Sequence, residues 1–264
     1  MKILNFLFSR SKQEQDKPIR DKLKTRKDFE RVLAEDLDIM ETTKARMDTA
    51  KNINLYMYRS LSYSYILILQ SKYSVDAKID ELRDIYIKSM HYFLQAFNKR
   101  NPIYADILNY VSLGVLLNIP DNNFRQLIDY VKQMDKQAKP SGWTPDLLLW
   151  FMLNSRLKEQ EKQKYAETLA YPRLYNGLYK VIQAPNAAAA KDALNKYLDR
   201  WYNLNSDAPW YNSHLKDNCY RGYWAWEVAA VAKIMHIDDS DLKNNQYYPY
   251  DMVHWADNET TAKE

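Results

Sequence analysis

The chain has 264 residues, 46% of them hydrophobic, with 38 Lys and Arg against 34 Asp and Glu and a formal net charge of +4. That length suits one large or two small domains, each able to bury a core. Only four glycines and one cysteine occur, which disfavours barrels, sandwiches and phosphate-cradling loops, an intrachain disulfide, and most structural zinc sites.

In chain order, residues 1–20 read as a mixed-charge leader closed by Pro18. The apolar run in MKILNFLFSRSK is shorter than the roughly 7–15 residues of a signal-peptide core and has no small-x-small cleavage site. A long helix follows, with Phe29, Leu33, Leu37, Met40 and Met47 at three-to-four spacing. Leu55–Tyr73 forms a second helix, unusually rich in Tyr and Ser, which ends at a turn over Lys72–Asp76. Ile79, Leu82, Tyr86, Met90, Phe93 and Phe97 make the clearest amphipathic stripe. Pro102 precedes another helix through Tyr110 and Leu117. Pro120-Asp121 is a turn and N-cap before Phe124, Leu127, Val131 and Met134.

Residues 136–142 are polar, hold Pro140 and Gly142, and lack periodicity, so a boundary is placed there. This gives an N-terminal helical domain over 21–137, a C-terminal one over 143–255, and a tail over 256–264. Thr144-Pro145-Asp146 reads as N-cap, N1 proline and first-turn acid. The run Leu147–Leu153 is apolar on all sides, hence central, and too short to span a bilayer. Asn186 caps a helix over Ala187–Leu204 whose stripe is Leu194, Tyr197, Leu198 and Trp201. A last helix is expected from Tyr220 to Met235, with Gly222, Ala225, Ala229 and Ala232 as a small-residue ridge for close packing. The fold class is therefore all-α, a multi-helix bundle whose N-terminal and C-terminal parts pack together.

No residue set supports catalysis or metal binding. His91, His214, His236 and His254 lack metal-ligand spacing. His214 and Cys219 have no visible third partner for nucleophilic chemistry. Asp238, Asp239 and Asp241 lack the glycine and the distant glutamate of a calcium loop. Asp251 and His254, three apart, suit a local hydrogen bond or cap. No cofactor, small-molecule substrate or membrane contact is indicated, and the expected location is cytoplasmic. Charge is unevenly spread: from Asp199 onward there are 11 acidic and 6 basic residues, so the back of the chain is acidic and the front basic.

From about Asp21 to Trp255 the chain resembles the PoNi family of immunity proteins. The resemblance rests on Trp201-Tyr202, Trp210-Tyr211 with His214, Tyr220-x-Gly222-Tyr223-Trp224-x-x-Glu227, Ala229-Ala230-Val231-Ala232-Lys233-Ile234, Ile237-Asp238-Asp239-Ser240 and Tyr248-Pro249-Tyr250-Asp251. Lys72-Tyr73-Ser74 carries it in the N-terminal half, where Val75-Asp76 stand in place of a glycine. The resemblance implies an all-α fold, cytoplasmic action, no catalysis, and binding to one nuclease toxin of the PoNe type.

A DNase must carry Lys and Arg to hold phosphates, so carboxylates offered there imitate the DNA backbone and speed encounter. Asp238, Asp239 and Asp241 form the densest such group; Asp217, Glu227, Tyr247 and Tyr248 complete the candidate toxin-binding set. Each also has a structural reading. The three aspartates suit a cap for a helical turn at 240–242, and Glu227 suits a buried acid held by a Tyr hydroxyl, a Trp N–H or an Arg. The alternative function is a helical adaptor that uses the basic run Arg10–Arg31 on nucleic acid or another acidic partner.

Overall fold

The computed structural model describes residues 18–97, 103–136, 143–164 and 166–255. Within these, ten α-helices and three single 3-10 turns form an all-α fold without a strand. Most of the leader, the 137–142 boundary segment and the 256–264 tail lie outside the described residues. The chain divides into two compact units: Met1–Phe97 with Asn212–Tyr223, and Asn98–Tyr211 with Trp224–Glu264. The helices Tyr104–Leu116 and Asp121–Lys136, which precede the expected boundary in sequence, both belong to the second unit.

The first unit holds α1 (Arg26–Thr49), α2 (Leu55–Ser74) and α3 (Ile79–Phe97). Thr25 and Asp28 form a reciprocal capping box at the start of α1, and Asn54 caps α2 by accepting from Met57 N. α2 packs against both α1 and α3. Leu33, Met40, Leu61, Tyr65 and Ile68 form a core cluster, flanked by Leu37, Met47, Ile85 and Tyr92. The Tyr65 and Tyr92 rings stack at 5.8 Å and 10°. The turn after α2 places Asp76 at φ 78°, the left-handed conformation for which glycine is the usual residue. Arg20 supports this turn, donating to Tyr73 O and Ala77 O at 3.0 Å each and facing Asp76 at 3.2 Å.

The segment Asn212–Tyr223 completes this unit from far along the chain. Tyr220 lies 5.7 Å from Phe29 ring to ring and donates its hydroxyl to the buried Asp21 carboxylate. Arg221 donates a two-pronged pair to Asp36, Nε to Oδ2 at 2.9 Å and Nη2 to Oδ1 at 2.8 Å. Ser74 Oγ donates to Arg221 O at 2.8 Å. Burial raises the Asp36 carboxyl above its ordinary range, and the Arg221 guanidinium opposes that shift.

The second unit holds α4 (Tyr104–Leu116), α5 (Asp121–Lys136), α6 (Leu147–Asn154), α7 (Pro172–Ile182), α8 (Ala187–Leu204), α9 (Trp226–Met235) and α10 (Tyr250–His254). α9 packs against α4 and also meets α6, α7, α8 and α10. Ala229, Ala230 and Ala232, all buried on α9, allow that close approach. Lys233 Nζ and Trp255 Nε1 donate to Leu116 O at 3.0 and 2.8 Å, satisfying a carbonyl that the end of α4 leaves open. The apolar α6 is buried as expected. Its N-cap is Asp146 rather than Thr144. The Asp146 carboxylate accepts from Leu149 N, Tyr104 Oη and Ala170 N at 2.7–2.8 Å.

Two further features differ from the sequence reading. The last long helix starts at Trp226, not Tyr220. Gly222 stands at φ 108° in the extended stretch before it, a conformation that α-helix excludes and that other residues rarely adopt. Helix α7 was not anticipated, although Pro172 sits in its first turn and Tyr175, Leu178 and Val181 make its buried stripe.

Candidate partner-binding surfaces

Helix α8 begins at its Asn186 cap, which accepts from Ala189 N. Its outer edge carries Lys191 and Asn195 one turn apart, and the 3-10 turn Ser240–Leu242 lies against that edge. Lys191 Nζ stands 2.8 Å from Asp238 Oδ2 and 3.2 Å from Asp241 Oδ1. Asn195 Nδ2 donates to Asp241 Oδ2 at 2.9 Å, and Ser240 N donates to Asp238 Oδ1 at 3.2 Å. Both carboxylates are exposed. Lys191 holds the Asp238 carboxyl well below the usual range, and the Asn195 amide lowers that of Asp241. Two negative charges against one positive leave this corner of the surface net acidic.

Asp239, between them in sequence, points the other way and is 2% exposed. It accepts from Tyr248 Oη at 2.7 Å, and His254 Nε2 lies 2.8 Å from its Oδ1. His254 therefore pairs with Asp239, 15 residues before it. Burial and the Asp239 carboxylate push the Tyr248 phenol far up. Tyr248 is buried, so it and Asp239 lie in the interior of the second unit.

Tyr247 is half-buried in a bank of rings. It stacks on Tyr202 at 5.3 Å and 5°, and Tyr202 stacks on Tyr211 at 4.5 Å. Trp201 stacks on Trp210 at 5.5 Å and meets Tyr247 at 5.6 Å. Below this bank, Trp201 Nε1 donates to Glu227 Oε1 at 2.6 Å. The structural reading of Glu227 as an acid held by a Trp N–H describes its position. Burial pushes its carboxyl up to about 7, and the Trp201 bond opposes the shift. Asp217 belongs to the first unit, where its side chain is exposed and its carbonyl accepts from Arg31 Nη2.

The structure thus brings Asp238 and Asp241 together at the surface, leaves Tyr247 half-buried, and buries Asp239, Tyr248 and Glu227. Among the described residues no group of three or more His, Cys, Asp and Glu is placed to hold a metal. His214 Nδ1 lies 3.0 Å from Tyr223 Oη, and Cys219 is exposed. A cavity of ≈ 170 Å³ in the second unit is lined by Asp121, Phe124, Arg125, Ile128, Arg156, Lys158 and Glu161. Its guanidiniums are engaged, Arg156 with Asp121 and Arg125 with Glu161. No helix of the described residues is long and apolar enough to cross a membrane. The basic front is partly structural, since Arg20, Arg26 and Arg31 all donate to backbone carbonyls.

Sequence reasoning passed over a different surface. Tyr56, Tyr63 and Ile39, on α2 and α1, are 77%, 62% and 51% exposed. The available signal was the doubled seven-residue spacing in α2, Tyr56 to Tyr63 and Tyr58 to Tyr65, which gives one helix two aromatic faces.

The described residues form an all-helical fold whose buried carboxylates are hydrogen-bonded to ring hydroxyls, an indole, a guanidinium and backbone N–H groups. Comparison with known families places the chain. Residues 144–252 match the C-terminal model of the PoNe immunity proteins (PoNi), and residues 11–129 match the N-terminal model of the same family. The chain belongs to the PoNi family. A solved structure, protein PA2201 from Pseudomonas aeruginosa, is similar at a TM-score of 0.70 and 19% identity, over 97% of this chain and 95% of that one. At that identity the likeness speaks for the fold alone. No curated protein matches the chain.

Proposed function

We propose that this chain binds one cognate DNase toxin in the cytoplasm and inhibits it by occluding its active or DNA-binding surface, without catalysing a reaction itself. Membership of the PoNe immunity family across both halves of the chain carries the reading. The exposed pair Asp238 and Asp241 supports it physically, because a nuclease that holds phosphates presents the opposite charge. Carboxylates at such a corner act mainly on encounter rate, and they do so at a distance. Asp217 adds a third exposed carboxylate, on the first unit. The adaptor reading has less support, since three arginines of the basic run are occupied internally.

The test is co-expression and co-purification with the nuclease encoded beside this chain's gene. Growth rescue, a stable complex and loss of DNA cleavage are expected; absence of all three refutes the proposal. Asp238→Asn with Asp241→Asn should slow association several-fold at low salt and flatten its salt dependence. An unchanged association rate would exclude a steering role for this pair.

A further inference from the structure

The acidic turn after α9 is pinned to the second unit at three points. Ile237, Asp239 and Leu242 are buried, while Asp238, Ser240 and Asp241 are exposed. Ile237 N donates to Ala232 O at 3.0 Å and Leu242 N to Asp239 O at 2.8 Å, which closes the turn at both ends. Ile237 and Leu242 are ordinary apolar anchors. Asp239 is of another kind. Its carboxylate accepts from Tyr248 Oη at 2.7 Å and meets His254 Nε2 at 2.8 Å, one partner on each oxygen. Both partners come from the chain that follows, so one carboxylate ties the turn to α10.

A buried carboxylate is a poor anchor if stability is all that counts. Desolvation of the charge offsets much of what its bonds contribute, and an apolar side chain of similar size often stabilises as well or better. What an apolar side chain lacks is direction. Hydrogen bonds on both oxygens fix the plane of the carboxylate, and with it the backbone to either side. That backbone carries Asp238 and Asp241, whose side chains converge on Lys191 Nζ at 2.8 and 3.2 Å. We infer that Asp239 is the positioning residue of this corner: held by Tyr248 and His254, it sets Asp238 and Asp241 in one fixed geometry for contact with a partner protein. The inference rests on the immunity reading, in which that partner is the nuclease toxin, and adds a second role to the corner. Steering acts at a distance and depends on how many charges are present more than on their exact placing. A fixed geometry instead lengthens the life of the complex, because the partner does not have to order the turn on binding.

The experiment measures association and dissociation rates of the catalytically inactivated neighbouring nuclease with the full chain and with Tyr248→Phe. That change removes one hydroxyl and leaves the ring and every charge in place. Dissociation should quicken about 3- to 10-fold, while the association rate and its salt dependence stay as in the native chain. In the Asp238→Asn/Asp241→Asn background the same change should leave dissociation unaltered, since no outer carboxylates remain to be positioned. His254→Ala removes the partner of the other oxygen at a side chain that is 38% exposed. It should behave alike, and it carries the test if Tyr248→Phe does not fold. Unchanged dissociation in both variants overturns the positioning role and leaves the immunity reading intact. So does an equal quickening with and without the outer carboxylates, which would assign Asp239 to stability alone. Failure of the native chain to bind the nuclease overturns both.

Discussion

The fork between Arg221 and Asp36 offers a direct test of how the first unit is held together. Arg221→Met keeps most of the aliphatic length and removes the guanidinium. Asp36 is 2% exposed and accepts two hydrogen bonds from that one group, at 2.9 and 2.8 Å. Left alone, the carboxylate must ionise without a partner or take up a proton at neutral pH. Removing one member of a buried pair costs about 3–5 kcal/mol. With a urea slope of about 1–3 kcal/mol/M, the midpoint should fall by roughly 1–5 M. All seven tryptophans lie in the second unit, so their emission follows that unit, while far-UV circular dichroism follows both. The loss should appear in the helicity transition of the first unit. Asp36→Leu combined with Arg221→Met removes both charges and should recover most of the lost stability, which a double-mutant cycle reads as coupling of a few kcal/mol. A loss below about 1 kcal/mol for Arg221→Met, or a double variant no better than the single one, refutes the reasoning.

Glu227 predicts an inverted pH dependence. Its carboxyl is raised from 4.5 to about 7 in the folded state, so between those values the folded chain binds more protons than the unfolded one. Its contribution to stability therefore falls as pH rises from about 4.5 to 7 and is level above that. The span corresponds to about 3 kcal/mol; Glu227→Gln should abolish this slope in urea titrations across pH and be the more stable form at pH 8, and an unchanged slope would refute the assignment. Gly177→Ala tests packing against propensity. In an open helix alanine gains about 1 kcal/mol over glycine, but here a Cβ would meet Tyr197 Cδ2 at 2.6 Å. Tyr197 is held by its hydroxyl bond to Leu174 O at 3.0 Å. The substitution should therefore destabilise the second unit by about 1–3 kcal/mol, measured by tryptophan emission in urea; a gain in stability would show that the ring yields freely.

Most helices were legible because one face of each is buried at regular spacing, as with Phe29, Leu33 and Met40 or with Phe124, Leu127 and Val131. The start of α9 was not. Tyr220, Tyr223 and Trp224 are as buried as a helical ridge would be, yet they lie on extended chain, where rings can be buried without any period. The acidic run shows the limit for the site. Nothing local distinguishes Asp239 from Asp238 and Asp241, because the groups that draw it inward, Tyr248 and His254, come nine and 15 residues later. The reverse holds for Glu227, where one carboxylate among rings already indicated an interior role. The outer tyrosines of α2 were hidden by their own helix, since five phenols at mixed spacing look like one packing surface until the fold separates them.

The return of Asn212–Tyr223 to the first unit sets a timetable for synthesis. Asp36 leaves the ribosome 185 residues before Arg221. At bacterial-scale elongation of about 5–20 residues per second that interval is roughly 10–40 s. For that time the nascent α1 carries a carboxylate whose cation has not yet been made, and Phe29 waits for the ring that will cover it. A message cut short anywhere before Arg221 yields no finished first unit.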